Sequence, residues 1–156
     1  MLRVPLLLTV LAVLTPTLAA QGSADANRAL VRQVYIDLAA GDVQAAVAVL
    51  DEHVVWNEGP PSPAAGQYVG RGTVATLVLR RLLEDGVTAA PDSLWIEDGQ
   101  VMVAGANHRA DPETGRLVAT PFRHRWRILD GRAVSVDRSA IPLPASQTTE
   151  SHTDEH

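Results

Sequence analysis

Apolar residues recur at three- and four-residue intervals between Asp25 and Ala39, with Leu30, Val34 and Leu38 in one row and Val31 and Tyr35 beside it. That spacing predicts a helix over 25–39 with a single apolar stripe. Asp25 or Asn27 can cap its start, and Gly41 ends it as a left-handed cap. Asp42 then caps a second helix, with Val43, Val47 and Leu50 facing inward. The pattern changes at 53–59, HVVWNEG, a short strand run with β-branched and aromatic residues. Pro60, Pro61, Pro63 and Gly66 follow and force an irregular loop. A third helix is predicted over 73–86, capped by Thr73 and stopped by Gly86.

Beyond Pro91 the apolar runs fall at 93–97, 100–110, 116–129 and 132–140. Asp98-Gly99 and Asp130-Gly131 separate two pairs of these runs, and Asp-Gly between apolar segments is a strong hairpin signal. The element order predicts an α+β fold, with three N-terminal helices packed on one face of a curved antiparallel sheet. The inside of that curve would be a pocket.

The two ends do not fit this scheme. Arg3, the apolar run Val4–Leu14, Pro16 and the small residues Thr17 and Ala19 have the anatomy of a secretory signal peptide over 1–19. The apolar run is about half the length a membrane span requires. The expectation is therefore export, to a periplasm or outside the cell, with no membrane attachment after cleavage. Residues 142–156 have no apolar period and are expected to be a disordered tail, leaving 25–141 as the domain. His152, Asp154, Glu155 and His156 in that tail form only a loose metal-binding pattern.

Composition narrows the chemistry. The 156 residues are 46% hydrophobic and 20% charged, enough for one domain with its own core. A net charge of −5 argues against nucleic acid as a partner. The absence of cysteine excludes disulfides, thiolate zinc sites and cysteine nucleophiles. There is no phosphate loop, dinucleotide fingerprint or nucleophile elbow, so no cofactor is assigned and no metal site is proposed.

Ala40-Gly41-Asp42, the run Asp51–Trp56, the loop Gly66–Gly72 and the segment His124–Arg132 together resemble the SnoaL-like proteins of the NTF2-like superfamily. The resemblance covers about 26–140. It implies a cone-shaped, cystatin-like half-open barrel. It also implies a cofactor-free acid–base enzyme (isomerase, cyclase, dehydratase or hydrolase) acting on a small hydrophobic molecule. The alternative is a non-catalytic ligand-binding module, or an association module forming a homodimer through the open sheet.

Val54, Trp56 and Glu58 alternate onto one strand face. Counted from Gly41-Asp42, Glu58 falls where the isomerases of this superfamily keep their general base, and a carboxylate at a cavity mouth can shuttle a proton. Phe122, His124, Trp126 and Ile128 share another face, while Arg123, Arg125 and Arg127 share the opposite one. His124 lies at or beside the position where those isomerases place a protonated carboxylic acid, and it could donate to an oxyanion or relay a proton. With a two-residue turn at Asp130-Gly131 and unbroken pairing, Asp137 faces His124 and could orient its imidazole. A one-residue shift instead brings Val134, Val136 and Arg138 to that face and buries more apolar surface. Trp56, Tyr68, Phe122 and Trp126 are the candidate walls for a ring-shaped ligand. Tyr35 sits one residue from the isomerases' tyrosine position, and about 100° of helix rotation is expected to aim it elsewhere. Cleavage after Ala19 predicts that the exported product begins at Ala20, which intact-mass measurement of the secreted protein checks.

Overall fold

The structure is a computed structural model and describes residues 18–140. Helix α1 covers Leu18–Ala39 and α2 covers Val43–Ala48, with the Asp42 carboxylate accepting from the Ala45 N–H at 2.9 Å. Strand β1, Leu50–Glu58, pairs antiparallel with a short β2, Gly66–Val69. Helix α3 spans 71–84 as an α-helical turn, a π-helical stretch Val74–Leu79 and an α-helical end. Strands β3 (Thr88–Glu97), β4 (Gln100–Ala110), β5 (Leu117–Leu129) and β6 (Arg132–Ala140) form a meander. Residues 1–17 of the predicted signal peptide 1–19, and Ile141 with the whole of the predicted tail 142–156, lie outside the described residues.

The six strands form one sheet in the order β2-β1-β6-β5-β4-β3. The sheet is mixed, and this corrects the all-antiparallel expectation. β6 runs parallel to β1, because the meander ends beside the strand that preceded it and points the same way. Three further differences are local. Helix α1 starts seven residues before Asp25. Leu50 begins β1 instead of closing the second helix. The Gly66–Val69 segment, read as loop because of its glycines, hydrogen-bonds to the edge of β1.

Both Asp-Gly turns take the form the sequence predicts. Asp98 and Gly99 have φ of 49° and 72°, and Asp130 and Gly131 have φ of 48° and 71°. Positive φ at both central residues is the type I′ geometry that matches strand twist. Arg132 pairs with Leu129 and Ala133 with Ile128, but Ser135 then pairs with Arg127. Val134 is thus a β-bulge, one extra residue on β6. Every later residue of β6 is displaced by one position: Trp126 faces Val136, and His124 faces Arg138.

The main core lies between this sheet and the helices. Val31, Val34 and Tyr35 of α1 and Val74, Val78 and Leu82 of α3 pack against Val54, Trp56, Val101, Val103, Phe122, Trp126 and Val136. Replacing Gly131 by Ala forces a β-carbon into a left-handed turn and should lower unfolding stability by about 1 kcal/mol. Gly72→Ala, on an exposed α3 position with no heavy atom within 4 Å of the added carbon, should raise it by roughly 0.5–1 kcal/mol. Urea midpoints of the two variants check both signs.

Candidate functional site

Period-two alternation along β1 carries Val54, Trp56 and Glu58 to the core side, so Glu58 is buried at the strand's end. Glu58 is the register partner of Arg138 on β6, and Arg138 is in turn the partner of His124 on β5. Carboxylate, guanidinium and imidazole therefore stand in one row across three neighbouring strands, on one face. Strands are about 4.8 Å apart, so the Glu58 and His124 backbones are roughly 10 Å apart with Arg138 between them.

All three side chains line one cavity of about 210 Å³ at the open end of the sheet. Pro61, Ser62 and Pro63 wall one side, Leu82 and Val87 close another, and Asn107, Arg109, Asp111, Val118 and Thr120 extend the sheet side. The wall mixes charge, amide, hydroxyl and aliphatic groups, and so differs from the apolar hollow expected.

Glu58 is held by its neighbours. Trp56 Nε1 donates to its Oε2 at 2.9 Å, and Arg138 Nη1 stands 3.4 Å from the same oxygen. Among the described residues, Oε1 has no recorded partner. The Arg138 guanidinium also lies over the Trp56 ring, 5.6 Å from its centroid. Trp56 thus fixes the carboxylate through its N–H and supports the cation through its π face.

His124 is 1% exposed and stacks on Phe122, with centroids 3.8 Å apart and planes 4° from parallel. Its Nδ1 is 2.7 Å from the Tyr35 hydroxyl, which accepts from Trp126 Nε1 at 3.2 Å. Indole N–H can only donate, and Nδ1 is the one acceptor recorded beside the phenol. The Tyr35 proton therefore points to Nδ1, which assigns the ring proton to Nε2. Burial, then the positive charge of Arg138, holds the imidazole well below its usual pKa, so the ring is neutral at neutral pH. Burial likewise pushes the Tyr35 phenol up to about 12, and the chain Trp126 → Tyr35 → His124 keeps its protons.

Several sequence expectations are corrected here. Asp137 does not face His124: the bulge at Val134 turns it to the outer sheet face, where Asn57 Nδ2 donates to it at 2.6 Å and Gln67 donates to Asn57. The physical gain is a buried Val136 against Trp126. Tyr35 does point inward, because Val31, Val34, Tyr35 and Leu38 form an i, i+3, i+4, i+7 stripe wide enough to bury Val34 and Tyr35 together. Trp56, Phe122 and Trp126 are fully buried in the core and are not among the residues lining the cavity, so they support the site from beneath. Tyr68 is also outside the lining set, its hydroxyl donating to the Ala64 carbonyl. The residue the first-choice register missed is Arg138. Its signal was the requirement that Val136 be buried, since period two then brings Arg138 inward as well. Among the described residues, no cluster of three His, Asp or Glu is placed to hold a metal ion.

The profile of the SnoaL-like domain matches residues 31–136. The chain belongs to the SnoaL-like family. Its solved structural neighbours agree on the fold. An NTF2-like protein from Burkholderia thailandensis E264 aligns at 26% identity and a TM-score of 0.66, covering 74% of this chain and 90% of that one. TerC, co-crystallised with polyporic acid, aligns at 18% identity and 0.63, covering 72% and 89%. A candidate polyketide cyclase from Xanthomonas campestris pv. campestris aligns at 19% identity and 0.62, covering 75% and 91%. No curated protein matches the sequence. Among the described residues, no helix of this SnoaL-like chain is long and apolar enough to cross a membrane.

Two pH effects follow from the buried network. The unfolded chain binds a proton at His124 near pH 6.5 while the folded chain does not, so stability should fall as pH drops below about 6.5, by at most about 1.4 kcal/mol per pH unit. Between pH 10 and about 12 the unfolded chain ionises Tyr35 and the folded chain does not, so stability should fall again as pH rises. Urea titrations across pH check both, and His124→Gln and Tyr35→Phe should each flatten one limb. Tyr35→Phe also orphans Nδ1 and the Trp126 N–H and should cost about 2 kcal/mol or more at neutral pH.

Proposed function

We propose that this protein is an exported, cofactor-free acid–base catalyst acting on a small organic carbonyl compound. The observation that carries the reading is a neutral His124, its Nδ1 occupied by Tyr35, lining the same cavity as Glu58. Glu58 takes a proton from the carbon next to the carbonyl. The C–H electron pair moves into the carbonyl, and His124 Nε2–H donates to the oxygen as negative charge develops there. Return of that proton from Glu58 to another carbon of the conjugated enolate completes an isomerisation; attack by the carbanion on a second carbonyl carbon of the same molecule, whose oxygen then takes the proton from Glu58, completes a cyclisation; departure of a β-hydroxyl, which takes the proton from Glu58 and leaves as water, completes a dehydration. Tyr35 and Trp126 act as positioning residues, because they fix which ring nitrogen of His124 carries the proton.

Cavity size limits the substrate. At about 210 Å³ the cavity lies below the roughly 300–1,000 Å³ usual for drug-sized ligands. A single ring or a short chain fits; a multi-ring skeleton does not. TerC was crystallised with an organic ligand, polyporic acid, which supports reading the cone of this fold as a small-molecule site.

Proton abstraction beside a carbonyl is visible without knowing the natural product. In D₂O, the protein should catalyse loss of the α-proton signal from members of a panel of small ketones, aldehydes and keto acids followed by NMR. Glu58→Gln should slow that exchange at least about 100-fold, and His124→Gln by about 10- to 100-fold. If no member of the panel exchanges, or if Glu58→Gln exchanges as fast as wild type, the catalytic reading is wrong and the cavity is a binding site alone.

A further inference from the structure

We propose that the ligand of this cavity is an organic acid, its carboxylate seated on Arg138 beside His124. The inference rests on reading the cavity as a ligand site, but it does not require turnover. Arg138 is 4% exposed, lines the cavity and is always charged. Its Nε and Nη1 are enclosed and have no hydrogen-bond partner among the described residues, so a ligand oxygen reaches them only as the guanidinium turns toward the cavity it lines. A buried guanidinium with unmet N–H groups is rare, because each enclosed donor has given up water without replacement.

Glu58 does not resolve this. Its Oε2 is committed to the Trp56 indole at 2.9 Å, and Arg138 Nη1 stays 3.4 Å away, an ion contact without a hydrogen bond. The guanidinium is balanced in charge yet left with donors to spare. His124 adds a second donor beside it. The two residues are direct register partners, and with Nδ1 taken by Tyr35 the imidazole offers only Nε2–H. Two neighbouring side chains, both donors and both in the cavity wall, match the two oxygens of one carboxylate.

The charge of the wall favours a monoanion. Arg138 and Arg109 are offset by Glu58 and Asp111, so a dianionic phosphate would meet two carboxylates without enough positive charge to compensate. A monocarboxylate adds one charge next to Arg138, whose enclosed donors are unmet among the described residues. This reading gives Arg138 a role the proposed proton transfer does not need: it selects which carbonyl compounds enter.

Benzoate, benzamide and phenyl phosphate are matched probes, alike in ring size and different in charge. Titrated against the full chain near pH 7.5, benzoate should bind at least tenfold more tightly than benzamide and more tightly than phenyl phosphate. Emission from the tryptophans should report it, because Trp56 lies under the guanidinium. Glu58→Gln should tighten benzoate binding severalfold, since it removes the competing carboxylate, although the same substitution should slow α-proton exchange at least about 100-fold. Arg138→Gln alone leaves Glu58 buried without its cation and risks the fold, so the double variant Glu58→Gln/Arg138→Gln, checked for folding by circular dichroism, carries the test. It should bind benzoate no better than benzamide. Equal wild-type affinity for benzoate and benzamide, tighter binding of phenyl phosphate, no benzoate binding at millimolar concentration, or a carboxylate preference that survives in the folded double variant would each overturn the proposal. Benzoate binding without any α-proton exchange would leave it standing and remove the catalytic reading. Exchange that favours neutral ketones over keto acids would do the reverse.

Discussion

One extra residue in β6 sets the chemistry of the cavity. The type I′ turn at Asp130-Gly131 fixes where β5 and β6 start to pair, and the bulge at Val134 shifts the remainder of β6 by one position. Because side chains alternate faces, a one-residue displacement exchanges the two sets completely. With the bulge, Val136 fills the core against Trp126 and Arg138 enters the site between Glu58 and His124. Asp137 goes to the far face and pairs with Asn57. Without it, Asp137 would take the place of Arg138 between Glu58 and His124, and the row would hold two carboxylates and no guanidinium.

The resulting cluster is held by its aromatic floor. A buried Glu–Arg pair is poor evidence of stabilisation by itself, since two desolvated charges regain their hydration energy only with good geometry and further hydrogen bonds. Here the Trp56 N–H donates to the carboxylate and its ring lies under the guanidinium. Trp56 meets Trp126 edge to face at 5.7 Å, and Trp126 donates to Tyr35. Tyr35 then meets His124, which stacks on Phe122. The aromatic side chains expected to wall a ligand instead position the imidazole, the carboxylate and the guanidinium that line the cavity above them.

Membership of the SnoaL-like family accounts for the architecture and leaves the activity to the residues of the site, because one fold of this kind serves unrelated reactions. Neighbours at 18–26% identity share the sheet and the helices over most of their length. The features from which an activity must be argued are the small cavity, the neutral imidazole with its proton on Nε2, and the arginine whose enclosed donors are unmet among the described residues.

Local chemistry was legible in the sequence. The apolar stripe of α1, the Asp42 cap, the strand alternation that turns Trp56, Glu58, Phe122, His124 and Trp126 inward, and both Asp-Gly turns depend on contacts a few residues long. Tertiary packing decided the rest. The parallel β1–β6 pairing joins segments some eighty residues apart, which no local pattern encodes. The width of the buried stripe on α1, and hence the direction of Tyr35, depended on how far the sheet curls around the helix. The choice between Asp137 and Arg138 depended on a bulge whose benefit, a valine buried against a tryptophan, exists only once the core has closed.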